Sequence, residues 1–201
     1  MDLAVIAIVF GAIFVVELPD KTFIAALVMS TRYKPLLVWI GVGLAFFVQT
    51  LIAVLAGHLA TYLPDVLVKS VAMVIFLVSA FVLFRSAPGA DAEEKEAEEE
   101  YAAKATDART GLKAVVASFL VLFAAEWGDL SQLLTISMIA HYGHPVSVFI
   151  GAWAALLTVS GLAVLAGRFL LQHVRLSLIH YLGAGVCLVL AGFTAWELFY
   201  G

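Results

Sequence analysis

Two stretches, Glu17-Leu18-Pro19-Asp20-Lys21-Thr22 and Glu126-Trp127-Gly128-Asp129-Leu130-Ser131, each set an acidic doublet inside a long apolar run. A carboxylate at membrane depth costs about 2.5–3.5 kcal/mol or more unless it is paired or faces a water-filled cavity, so such residues mark ion or proton pathways. The surrounding chain leaves no soluble setting for them. Of its residues, 64% are hydrophobic and 13% charged, and the mean hydropathy is +1.07, far outside the range of soluble domains. An all-α, polytopic membrane protein is the fold these numbers require.

The 201 residues have room for six spans, expected over residues 3–29, 36–62, 66–84, 113–140, 146–171 and 177–200. The N-terminus carries Asp2 where a signal peptide would carry Lys or Arg, so residues 3–29 are expected to stay as a first helix. Residues 1–85 form a first three-helix unit, 86–112 a linker, and 113–201 a second unit. The linker contains the run Asp91-Ala92-Glu93-Glu94-Lys95-Glu96-Ala97-Glu98-Glu99-Glu100, which is too charged to bury and is expected to be a solvated, partly helical tether. Cys187 is the only cysteine, which excludes an intramolecular disulfide and a thiolate metal cluster.

The two units repeat each other. Ala53-Val54-Leu55-Ala56-Gly57 recurs as Ala163-Val164-Leu165-Ala166-Gly167, and Pro35 and Gly41 recur as Pro145 and Gly151, all 110 positions later. Glu17 recurs as Glu126, 109 positions later. Because each unit has an odd number of spans, the copies enter the membrane in opposite directions, the inverted-repeat plan of many secondary transporters, whose substrate sites lie at the repeat interface. With the N-terminus outside, inner loops hold Arg32, Lys34, Arg85, Lys95, Lys104, Arg109, Lys113, Arg168 and Arg175, and outer loops hold Lys69 alone. This positive-inside bias places both termini outside the cytoplasm and the acidic linker within it.

On a helix, Glu17 and Asp20 share one face, and Glu126 and Asp129 repeat that geometry. Inverted symmetry then gathers up to four carboxylates around one point. Four anions in a low-dielectric cavity need protons or a cation, and a divalent hard cation must displace the protons to bind, so proton/metal exchange follows from the site itself. Pro19 leaves the carbonyl of Val15 without its usual helical donor, and Gly128 loosens the equivalent turn, so freed carbonyls join the hard oxygen donors. Thr22 and Ser131 supply matched hydroxyls. Gln49, Thr50, Gln132 and Ser160 either add neutral oxygens or hold helices together by hydrogen bonds. Lys21 either neutralises a carboxylate or snorkels, and its counterpart is Leu130. The histidines at predicted span ends and Trp39, Trp153 and Trp196 read as interfacial or packing residues, and Glu197 as solvated.

These residues resemble the GDT-type cation/proton exchangers of Golgi, chloroplast and bacterial membranes, within the lysine-exporter superfamily, whose repeats each bear a Glu-x-Gly-Asp-(Lys/Arg)-(Thr/Ser) motif. The likeness covers nearly the whole chain outside the acidic linker. It implies six spans in two inverted repeats, Glu17, Asp20, Glu126 and Asp129 as metal ligands supported by Thr22 and Ser131, and export of Mn2+ first or Ca2+ second against H+. Pro19 in place of the motif glycine and Leu130 in place of the second basic residue are departures from the pattern. A bacterial plasma membrane is the address implied. Apart from the transported cation and H+, no cofactor is expected; lipid is the expected surrounding, nucleic acid is not a partner, and a homo-oligomer is compatible with the sequence. The competing readings are a passive divalent cation channel, in which acidic rings select cations without proton coupling, and an intramembrane aspartyl protease, which lacks its Gly-x-Gly-Asp arrangement here.

Overall fold

A computed structural model describes residues 1–18, 20–60, 62–104, 111–173 and 176–200. In chain order the helices are α1 (Leu3–Glu17), α2 (Lys21–Arg32), α3 (Pro35–Ala60), α4 (Asp65–Ser86), α5 (Ala90–Lys104), α6 (Leu112–Ala125), α7 (Leu130–Tyr142), α8 (Pro145–His173) and α9 (Leu176–Tyr200), with a 3-10 turn, Ala87–Gly89, between α4 and α5. Among the described residues four of them, α3, α4, α8 and α9, are long and apolar enough to cross a bilayer. Two bent pairs, α1 with α2 and α6 with α7, each pass as one further span, giving up to six. The bends are 70° and 71° and fall at the two acidic motifs, so the expected first and fourth spans are broken helices rather than tilted rods. Many of the large apolar side chains on α4 and α9, Phe81, Val189 and Phe199 among them, point outward, as lipid-facing surface does.

Local chemistry accounts for the ends. Asp2 caps α1, its carboxylate accepting from the amides of Ala4 at 2.9 Å and Val5 at 3.3 Å, and its own amide donates to Ser147 Oγ on α8 at 2.9 Å. Gly143, with φ 65°, closes α7 in the left-handed conformation that glycine favours. Gly128 takes φ 79° in the break between α6 and α7. Pro19, at the other break, lies outside the described residues.

The packing exchanges equivalent partners between the two halves. Helix α1 packs on α8 as α6 packs on α3; α2 packs on α8 as α7 packs on α3; α2 meets α6 as α7 meets α1. The matched glycines lie at the first of these contacts. A Cβ at Gly41 would run into the carbonyl of Val115 on α6, and one at Gly151 would lie 2.7 Å from the carbonyl of Ile6 on α1. Gly41→Ala and Gly151→Ala are each expected to lower stability by about 1–3 kcal/mol, read as a drop in the melting temperature of the detergent-solubilised protein; unchanged melting of both would mean that the helices do not approach this closely. Trp39 and Trp153 knit α3 to α8, donating to the carbonyl of Leu157 at 3.0 Å and of Gly43 at 3.1 Å.

Among the described residues, symmetry fails around α4, α5 and α9. Helix α4 packs on α7, but it is α5, from the linker, that lies along α2, while α9 lies against α1 and α4. The linker is therefore more than a solvated tether. Glu96, Glu99 and Glu100 are exposed as expected, yet Ala87, Ala90, Ala97 and Tyr101 are buried on the opposite edge. Spacings of three, seven and four place these four on one helical face, a stripe of small residues and one aromatic that the density of charge obscures. Glu197, expected to be solvated, is half-exposed and also paired, 3.5 Å from Lys69 Nζ and 3.7 Å from His141 Nδ1.

Candidate metal-ion site

The two breaks meet at the centre of the bundle. Glu17, the last residue of α1, is fully buried, and Glu126, just beyond α6, is 2% exposed. Glu17, Glu126 and Asp129 each present a carboxylate oxygen within 4.8 Å of the others. Two oxygens on opposite sides of one hard cation, each 2.0–2.6 Å from it, stand about 4–5 Å apart, so this spacing fits a single ion with both repeats contributing. Asp20 does not belong to that trio, although its charge acts on both glutamates. The expected set of four thus resolves into three converging carboxylates and one at the margin, half-buried as the residue before α2.

The matched hydroxyls lie where the sequence placed them. Thr22 Oγ1 donates to Glu17 Oε2 at 3.1 Å, and Ser131 Oγ donates to Glu126 Oε2 at 3.3 Å. Each also lies against the glutamate of the opposite repeat. These bonds use one oxygen of each glutamate. The other, Oε1 of Glu17 and of Glu126, is buried without a hydrogen-bond partner, as are Oδ2 of Asp129 and Oγ1 of Thr50. Buried polar atoms in folded proteins are nearly always satisfied, and a set of orphaned oxygens at one point has the chemistry of a cation site.

The neutral side chains divide. Gln49 Nε2 donates to the carbonyl of Phe123 at 2.8 Å, Gln132 Nε2 donates to Gln49 Oε1 at 2.8 Å, and the amide of Gly128 donates to Gln132 Oε1 at 3.0 Å. This chain satisfies backbone groups released by the break between α6 and α7 and ties them to α3, so both glutamines act as supports. Gln49→Leu is expected to cost about 1–3 kcal/mol by stranding the Phe123 carbonyl and one amide hydrogen of Gln132; an unaltered melting temperature would exclude that role. Ser160 is likewise spent on a backbone bond, to Leu157 at 3.1 Å. Thr50 is not. It lines, with Gln49, Glu126, Ser131, Gln132 and Thr135, a cavity of ≈ 10 Å³ as swept by the centre of a water-sized sphere, room for about one water. Val15 sits in the last turn of α1, and the release of its carbonyl depends on Pro19. Lys21 is exposed, and its charge acts on Asp129 of the opposite repeat.

One residue at the site escaped the sequence reading. Tyr101 of α5 is 5% exposed. Burial first, then the charges of Glu100, Asp20, Glu126 and Asp129, push its phenol up to about 12. Its signal lay in the spacing of Ala97 and Tyr101, one helical turn apart.

Comparison with known proteins agrees with this geometry. The family described as divalent cation/proton antiporter GDT1 matches residues 5–91 and 114–201, omitting most of the linker. The chain is 30% identical over 92% of its length to GDT1-like protein sll0615 of Synechocystis, covering 92% of that protein. It is 30% identical over 94% of its length to the chloroplastic PAM71-homolog of Arabidopsis thaliana and 31% over 94% to chloroplastic PAM71. It spans only 58% and 56% of the length of those two plant relatives. No solved structure matches the chain. An antiporter family, not a hydrolase family, sets aside the aspartyl protease reading, and the chain belongs to the GDT1 family of divalent cation/proton antiporters.

Proposed function

We propose that this protein is a secondary transporter that exports a divalent cation, Mn2+ first and Ca2+ second, in exchange for protons. The observation that carries the reading is the convergence of Glu17, Glu126 and Asp129 within 4.8 Å, with their remaining oxygens orphaned. An all-oxygen donor set suits Mn2+, Ca2+ and Mg2+ alike; the order given rests on family resemblance. A metal ligand must be deprotonated, so an ion arriving at the cluster releases protons, and protons arriving there release the ion. Because each repeat supplies ligands to one point, rocking of one repeat against the other exposes the same site to either side in turn.

The basic residues orient the cycle. The cytoplasm-open state takes metal from inside and gives up protons, and the outward-open state returns metal for protons, with both termini outside a bacterial plasma membrane. Purified protein in liposomes, loaded with a pH dye and a metal dye, tests the reading. Saturable Mn2+ or Ca2+ flux that drives opposite proton movement is the expected result. Metal flux without proton coupling would make the protein a channel, and no flux of any divalent ion would overturn transport at this site.

A further inference from the structure

The linker helix α5 packs on α2 and has no counterpart in the second half. In the second unit α7 is flanked by α4, and Leu133 on α7 remains exposed. In the first, α2 is flanked by α5, and every residue of α2 from Thr22 to Met29 is buried. Helix α5 follows α4 and precedes α6, so it lies on the side of the membrane where the linker runs. Its buried edge ends in Tyr101, and α2, along which it packs, carries Thr22, whose hydroxyl donates to Glu17 of the cluster. The opposite edge, with Lys95, Glu96, Glu99 and Glu100, is exposed. Among its described side chains, α5 is held on the bundle by Ala90, Ala97, Ala102 and one aromatic, Tyr101; such small side chains, with charges on the other edge, bury little apolar area and are cheap to displace.

We propose that α5 is a lid over the carboxylate cluster on the linker side, with Tyr101 seated as its plug, so that exchange of ions with that side requires α5 to lift from α2. The inference rests on the cluster being the cation site. The covering helix belongs to one repeat's partner face only, so access from the two sides is gated by different means: by α5 on the linker side, and by movement of the repeats alone on the other. Tyr101 is a positioning residue; its ring excludes water and ions from the carboxylate cluster while the lid is down.

The test is labelling of buried carboxylates by a water-soluble carbodiimide and an amine, applied from the linker side of proteoliposomes and read by mass spectrometry at Glu17, Glu126 and Asp129, with and without Mn2+. Tyr101→Ala is expected to raise the labelling rate without metal by about tenfold, as removal of a buried plug shifts the lid toward its open state, while Tyr101→Phe stays near the wild-type rate because the ring is retained. Ala97→Glu, which places a charge on the buried edge of α5 away from the carboxylates, is expected to reproduce the increase and covers the case in which Tyr101→Ala fails to fold. Labelling from the linker side that is equal in wild type and in every folded variant would overturn the lid. Loss of Mn2+ protection in the wild type would instead overturn the cation site, a separate failure.

Discussion

Replacing Glu17 or Glu126 by Gln is expected to lower Mn2+ or Ca2+ transport by about 100-fold or more while leaving a folded protein. Partners that merely orient ligands contribute 10–100-fold to metal affinity, and loss of a ligand exceeds that. Gln preserves volume and can still accept from Thr22 or Ser131, so the hydrogen bonds at 3.1 and 3.3 Å survive and only the charge is removed. The two variants test opposite repeats, and the arrangement of both glutamates in one trio requires the two losses to be similar. Asp129→Asn is expected to match them in equilibrium metal binding. Asp20→Asn is expected to weaken binding less, because Asp20 stands outside the trio, and to act mainly on the transport rate. Titration of purified protein with Mn2+, beside flux in liposomes, separates the two effects. Full transport by either glutamate variant would remove that residue from the site.

Apparent affinity for the cation is expected to fall as pH falls, by about tenfold per pH unit for each proton the ion displaces. The sign follows from competition: metal binds the deprotonated trio, protons bind the same oxygens, and raising the proton concentration shifts the balance to the metal-free form. At high pH, where no proton remains to displace, the dependence flattens. The slope on the acid side counts protons released per ion, and it should equal the stoichiometry of exchange measured in liposomes. Mn2+ titrations across a pH series, with proton release followed in weakly buffered solution, give both quantities. Affinity independent of pH throughout would exclude proton/metal competition at these carboxylates, and with it coupled exchange.

How much of this was legible beforehand differs residue by residue. The break at Gly128 was readable because a missing side chain weakens a helix locally, and the 70° and 71° bends between α1 and α2 and between α6 and α7 fall within the two acidic motifs; Pro19 itself lies outside the described residues. The hydroxyls of Thr22 and Ser131 were readable from spacing within a single repeat. The division among Gln49, Thr50, Gln132 and Ser160 was not, because it depends on which backbone groups the breaks expose and which helix passes within 3 Å of them. The linker misled for a related reason. Composition averages over a helix, and a run of glutamates hides the small residues and single tyrosine that make its other edge apolar.

Sequence alone determined the membrane class, the duplication, the two acidic motifs and the chemistry of the donors, since each follows from residue type and from periods of a few residues along one chain. Tertiary structure alone decided that three carboxylates converge and a fourth stands aside, that Gln49 and Gln132 bond to each other and to backbone groups while Thr50 Oγ1 has no hydrogen-bond partner, and that α5 packs along α2 with Tyr101 buried. Those outcomes depend on distances between segments about 100 residues apart. Such distances are set by helix crossings at Gly41 and Gly151 and by packing of whole faces, and no local pattern encodes them.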